Sequence, residues 1–379
     1  MSEKTVRADH VGSLLRPARL IDALEQETGF RHDQVRPSNA SLEFANADQD
    51  AIREVTDECI REVVAKQEAI GLDSVTDGEF RRVFFMGSPD QAVSGFAPSD
   101  MTIEFHNETD KIDVEGRPVV VDRLEVIGTP AADEARFTSS ITDKPVKVTF
   151  PAASSQANPS MFVPGVTDKH YADFGELAMH LGQIMRGQID AAIEAGATVV
   201  QLDYPAYPLL LDPHFEQMMG AEGTQQALEG ALMADAMIVQ GIPDHVTTAL
   251  HLCRGNLRGM WMADARLDPI AERFFALPYD LFLVEWDDTS RMGDYSALKA
   301  VPAGPTVAMG LVSTKNPELE DEDELVRHLE EAAQHVDVGQ LALCPQCGFA
   351  SEAGGNDLTE DQQWAKLELV RRVADRVWG

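Results

Sequence analysis

The chain is short of cysteine, with four in 379 residues, and short of positive charge, with 31 Lys and Arg against 64 Asp and Glu. Each shortage excludes something. Four cysteines make no disulfide framework, and in a reducing compartment neighbouring cysteines read as ligands or catalysts. A formal net charge of −33 sets the chain against nucleic acid and anionic membranes. No run approaches the roughly 18 apolar residues a bilayer span needs, and "MSEKTVRADH" lacks the basic-then-apolar pattern of a signal peptide. A cytoplasmic protein with neither membrane nor nucleic-acid partner is therefore expected. The carboxylates are spread along the chain. Their one dense cluster, "ELEDEDEL", reads as a solvated loop and helix start.

What is present is an alternation. Eight short apolar runs recur, "ADHVGSL", "LDSVTDGEF", "KVTFP", "TVVQLDYP", "VTTALHLCRGN", "LFLVEWDD", "TVAMGLVST" and "QLALCPQCG". Each suits a strand buried on both faces, as a parallel sheet demands. Helical patterns lie between them. "DAIREVTDECIREVVAKQEAIG" puts Ile52, Val55, Ile60, Val63 and Val64 on one face with Gly71 as stop, and "LAMHLGQIMRGQIDAAIEAG" ends in Gly196. This grammar predicts one (β/α)8 TIM barrel over 1–379, with its active site at the C-terminal strand ends. Two segments break the repeat. Residues 20–47 are polar and mixed, and 83–144 reads as a β-hairpin insertion after the second strand, either a lid or a subunit contact in a homo-oligomer.

The strand ends carry the chemistry. His251 and Cys253 are two apart at the end of an apolar run, so on a strand they share a face. Taken alone, the pair is more simply a buried His beside a buried Cys. Two other runs end in Glu285 and in Cys344-Pro-Gln-Cys347, and nitrogen, sulfur and carboxylate oxygen are what zinc accepts. A thiol-redox reading of that C-x-x-C is disfavoured by its place near the end of a long chain. Cys59 falls in a helical pattern and reads as packing. Gly12, Ser13, Asp77, Glu79 and Asp203 stand at further strand ends, where the acids could equally cap a helix or pair with Arg81 or Arg82.

Together these pieces resemble the catalytic domain of cobalamin-independent methionine synthase, and more closely its short single-barrel members. The resemblance runs nearly end to end, through "HVGSLLRP", "TDGEFRR", "HLCRGN", "GLVSTKNPELE" and "CPQCGFASE" followed by "LTEDQQWAKL". It implies Zn2+ held by His251, Cys253, Glu285 and Cys347, with Asp287 and Asp288 as competitors of Glu285. It implies that Gly12 and Ser13 hold the carboxylate of homocysteine and that Glu79 and Asp203 hold its ammonium. The implied partners are a small-molecule thiol and an alkyl donor. A coordinated thiol is deprotonated, and one ligand, Glu285, is expected to be labile so that the thiol can enter.

The chain also departs from the family's long members. They carry a Trp after the third strand, a Glu six residues past the strand-four Asp, and a His after the seventh strand. Here those positions read Pro151, Leu209 and Val312. Without a proton donor for the folate nitrogen, a donor other than free methyl-tetrahydrofolate is expected, such as a methylated corrinoid or corrinoid protein. The second family precedent is epoxyalkane–coenzyme M transferase. It would need an anion site (Arg16, Arg81, Arg254 or Arg258) and a proton source, for which His10, Tyr204 and Tyr207 are candidates, the first two taken as catalytic. A non-catalytic zinc or corrinoid carrier is the third reading.

Overall fold

The computed structural model describes residues 6–32, 37–45 and 47–379; positions 33–36 and 46 of the polar stretch, and the first five residues, lie outside them. Among the described residues ten strands form in chain order: β1 (Val93–Ala97), β2 (Thr102–His106), β3 (Lys111–Glu115), β4 (Val119–Val126), β5 (Lys147–Pro151), β6 (Val199–Asp203), β7 (Thr247–Leu252), β8 (Leu281–Glu285), β9 (Thr306–Val312) and β10 (Leu341–Pro345). The last six make one parallel sheet ordered β10-β9-β8-β7-β6-β5. They coincide with six of the eight apolar runs.

The other two runs do not become full strands. Ala8 makes a single parallel bridge to Leu343 and Val75 one to Val146, extending the sheet at either edge. A side chain takes over the ladder between them: the Asp73 carboxylate accepts the N–H groups of Arg7 and Ala8 at 2.6 and 2.8 Å, while Asp73 N–H donates to Ala8 O at 2.9 Å. Beyond that point the backbone turns away through Gly12 at φ 147° and through Gly78 and Glu79 at φ 73° and 63°. Positive φ ends extended pairing.

Strand alternation sorts the core. Val199, Ala249, Leu281, Leu283, Ala308, Ala342 and Cys344 cluster on one face. Val200, Leu202, Leu250, Phe282, Val284, Val307, Met309 and Leu343 join the larger cluster with the helices on the other. By the same period of two, Asp203, His251 and Glu285 continue the first face to its C-terminal edge. The sequence pattern thus aims polar residues at one mouth.

The helix Arg53–Ile70 ends at left-handed Gly71, buries Ile60, Val63 and Val64, and leaves Val55 half-buried. Phe174–Glu194 is followed by Gly196 at φ 117°. Asp321, inside the acidic cluster, caps Glu322–Ala332 by accepting Glu324 N–H at 3.0 Å. The polar 20–47 stretch is more ordered than its composition suggests, with helices Ala18–Thr28 and Pro37–Ala45. Within 83–144 there are two antiparallel pairs rather than one: β1 with β4, and the hairpin β2–β3. Among the described residues no helix is long and apolar enough to cross a membrane.

Candidate active site

At the C-terminal mouth of the sheet, His251, Cys253 and Cys347 bring one ligand atom each to within 4.8 Å of one another. All three are buried. β7 supplies His251, the residue just past its end is Cys253, and the loop after β10 supplies Cys347. Cys344, by contrast, stays in the strand, with its thiol toward Ala308 O at 3.6 Å. His251 Nδ1 lies 3.1 Å from Leu283 O, which fixes the ring, while the buried Nε2 has no protein partner. The Cys253 thiol donating to it, with the His251 imidazole alongside, holds the Cys347 thiol well below the usual thiol range. A soft, anion-ready N/S/S set with an unpartnered imidazole nitrogen suits zinc.

Glu285 stands apart from that group. Its Oε1 takes Arg254 Nη2 at 2.8 Å and Lys315 Nζ at 2.5 Å, and its Oε2 takes Arg254 N–H at 2.8 Å. Burial alone would raise its carboxyl, but the charges of Lys315 and Arg254 bring it down to about 2. Asp287 accepts from Ser313 Oγ at 3.0 Å and lies 3.3 Å from Lys315 Nζ. Asp288 caps the turn Thr289–Met292. Neither joins the His and Cys trio.

A cavity of about 840 Å³ opens on the trio, and Ser13, Glu79, Asp203 and Tyr204 line it too. Asp203 pairs in register with His251 across β6 and β7, and burial pushes its carboxyl up to about 8. Glu79 does not use Arg81 or Arg82, which hold Asp57 and Glu134, each at 2.6 Å. Its Oε1 accepts Thr149 Oγ1 at 2.8 Å, and its buried Oε2 has no partner. Gly12 packs against it: a Cβ there would sit 3.0 Å from Glu79 Oε1 and 2.8 Å from Thr149 Cγ2. Ser13 Oγ accepts Ala350 N–H at 3.3 Å, which leaves its own hydrogen free, and a Cβ on Gly348 would collide with it. The hydroxyl therefore lies against the residue after Cys347.

Glu79 and Tyr204 both have left-handed backbones, φ 63° and 56°. For residues bearing a side chain this costs on the order of 1–3 kcal/mol each, and both strained residues face the cavity. Tyr204 donates to Met262 Sδ at 3.5 Å, and burial raises its phenol well above the usual range. His10 does not reach the cavity wall. It is buried, and burial with the Lys147 charge pushes its pKa down to about 4. Tyr207 is also off the wall, donating to Asp235 at 2.6 Å.

None of Arg16, Arg81, Arg254 and Arg258 lines the cavity. Pro151 and Val312 are buried off the wall, while Leu209 is on it. Two contributions escaped sequence reasoning: the Arg254–Lys315 clamp and the Thr149 bond to Glu79. The clamp left a trace in the basic residues of "HLCRGN" and "VSTKNPE". The expected hairpin is present, and β2–β3 walls the cavity from Thr102 to His106 and at Val114 and Glu115.

The comparisons with known proteins fit this geometry. Residues 30–375 match the family model described as the catalytic domain of cobalamin-independent synthase. The uncharacterized Bacillus subtilis protein YxjH is 34% identical over 98% of this chain and 94% of its own length. A methionine synthase of Sulfurisphaera tokodaii is 23% identical over 80% of this chain and 78% of its own. A solved B12-independent methionine synthase from Shewanella sp. W3-18-1, in complex with selenomethionine, superposes with TM-score 0.72 at 17% identity over 98% of both chains, a likeness of fold. This chain belongs to the cobalamin-independent methionine synthase catalytic-domain family.

Proposed function

We propose that this protein is a zinc-dependent thiol methyltransferase that makes methionine from homocysteine with a donor other than free methyl-tetrahydrofolate. One observation carries the reading: a buried His251/Cys253/Cys347 trio shares a cavity with two buried acids, and Glu79 keeps an unpartnered oxygen there. A zinc ion held by the trio supplies Lewis acidity that keeps an incoming thiol deprotonated at neutral pH. The chain's own residues do the rest. Glu79 Oε2 and Asp203 accept from the substrate ammonium, and the Ser13 hydroxyl with the Gly12–Ser13 backbone takes its carboxylate. Held at both ends, the substrate keeps its sulfur over the cysteines, and such alignment removes several kcal/mol from a bimolecular barrier. The same reading takes the bridged segments at Ala8 and Val75 as first and second strands of a (β/α)8 barrel. In it, 1–379 is one domain and 83–144 its insertion.

The coenzyme M alternative is the weaker one. A sulfonate needs a cation, and the four candidate arginines all lie off the cavity wall. A mere carrier would have no use for an ammonium clamp. The test is to incubate the zinc-loaded protein with homocysteine or coenzyme M and a panel of methyl donors plus epoxypropane, identifying products by mass spectrometry. Methionine is the expected product. A preference for coenzyme M would defeat the proposal.

A further inference from the structure

The upper half of the same cavity has its own chemistry. Phe105 and Met262 meet beside Gly255, two residues past Cys253: a side-chain carbon on Gly255 would lie 3.3 Å from both the Phe105 ring and Met262 Cγ. Gly255 has φ 92°, so the close approach and the backbone both require glycine there. Tyr204, bonded to the Met262 sulfur, completes a wall of rings and thioether next to the cysteines.

Cations are scarce on that wall. Among the described residues lining the cavity are five carboxyl groups, of which Asp203 is raised to about 8 by burial and Glu104 accepts from Lys111 at 2.8 Å, and one guanidinium, that of Arg117. Arg117 is spent on Asp90, which it grips through two bonds of 2.9 and 2.8 Å with both side chains buried. A polyanionic donor finds no free Lys or Arg here.

The hairpin is tied down beside that wall. Its His106 exchanges backbone hydrogen bonds with Trp261 at 2.8 and 2.9 Å, and just beyond β3 the Arg117–Asp90 pair fixes its base. Removing one partner of a buried ion pair is strongly destabilising, so the hairpin is a pinned roof. A corrinoid macrocycle needs an open face.

We propose that the methyl donor is a small onium compound, carrying its methyl on a sulfonium sulfur or quaternary nitrogen, whose charge rests against Phe105 and Tyr204 beside Cys253. The proposal rests on the methyltransferase reading above. The homocysteine thiolate attacks the methyl carbon and a new C–S bond gives methionine. The donor's bond to that carbon breaks, and its electron pair stays on the departing sulfur or nitrogen, which leaves as a neutral thioether or tertiary amine. The thiol proton has gone to solvent on binding. No acid is needed for such a leaving group, which accounts for Val312. A thiolate and a cation become two neutral products, a change that burial beside the Phe105 ring and the Met262 thioether favours over bulk water. Aromatic faces recognise the cation.

The experiment pairs binding with transfer. Homocysteine, trimethylsulfonium and tetramethylammonium are each titrated calorimetrically into the zinc-loaded protein. Methionine formation is then followed with trimethylsulfonium, tetramethylammonium, methyl-tetrahydrofolate and methylcobalamin. Transfer from trimethylsulfonium, releasing dimethyl sulfide, or from tetramethylammonium, releasing trimethylamine, is expected and decides which onium is used. Phe105→Leu should raise the KM of that donor about 5- to 30-fold, Phe105→Tyr should restore it, and homocysteine binding should not change. If homocysteine binds and methylcobalamin supports turnover while neither onium transfers, the donor class is overturned and the methyltransferase reading stands. Failure of homocysteine to bind a folded, zinc-loaded protein overturns both.

Discussion

Replacing Glu79 by Gln isolates one charge. The amide keeps the volume and the bond from Thr149 Oγ1, which Oε1 now accepts at 2.8 Å, so the packing against Gly12 is retained. What disappears is the negative charge on Oε2, buried and unpartnered in the protein alone, together with its charge-assisted bond to the homocysteine ammonium. Such a bond contributes about 1.5–3 kcal/mol, or roughly 10- to 150-fold in kcat/KM. The assay is thiol competition: kcat/KM for homocysteine against that for coenzyme M, which has no amine, with the same donor and a zinc content verified for each preparation. Glu79→Gln should lower the first by that factor and leave the second within about threefold. Asp203→Asn should act in the same direction. An equal loss with both thiols would refute the reasoning and assign these acids to structure or to the surroundings of the metal.

Three further outcomes are expected. Cys347→Ser should abolish zinc retention, measured by atomic emission after dialysis against a weak chelator, while Cys344→Ser should leave one zinc per chain; dependence on Cys344 would mean that the loop after β10 has been misassigned. Because the pKa of His10 is about 4 in the fold, below its ordinary 6.5, the unfolded chain binds the extra proton between these values. Stability present above pH 6.5 is therefore lost as pH falls toward 4, by up to about 3 kcal/mol, and urea titrations of His10→Leu should show a flatter acid limb. Methyl-tetrahydrofolate should give little or no methionine even at saturation, because Val312 stands where the family's long members carry the His whose general-acid catalysis would be worth about 10²–10⁴-fold; efficient turnover from it alone would refute this.

The sheet was legible because burial on both faces writes itself as short apolar runs, and β5 to β10 fall on six of them. The runs at Ala8 and Val75 read equally well, yet each makes one bridge, and between the two runs the Asp73 side chain accepts the Arg7 and Ala8 N–H groups that a ladder would use. No periodicity reports such a substitution. His251, Cys253 and Cys347 were legible by residue type at strand ends, and Glu79 and Asp203 by the company they keep. The roof was half-legible: β-branched runs broken by Asn, Asp and Gly announced antiparallel strands, but its seat over the cavity depends on His106 meeting Trp261, 155 positions on. Contacts between distant loops leave no local pattern.

Glu285 shows how little residue type says about a side chain's partners. A carboxylate at the end of β8 is a plausible zinc ligand, and its position on the inward face is as expected. What decides its role is which cations reach it first. Arg254, adjacent to Cys253, binds it through both backbone and guanidinium, and Lys315 binds it from the loop after β9. All three side chains are at most 9% exposed. Its two oxygens already accept three bonds from these residues, which compete with a metal for the same lone pairs. The clamp thus holds the carboxylate off the cavity wall, whereas His251, Cys253 and Cys347 all line it, so the trio rather than the acid faces what enters the cavity.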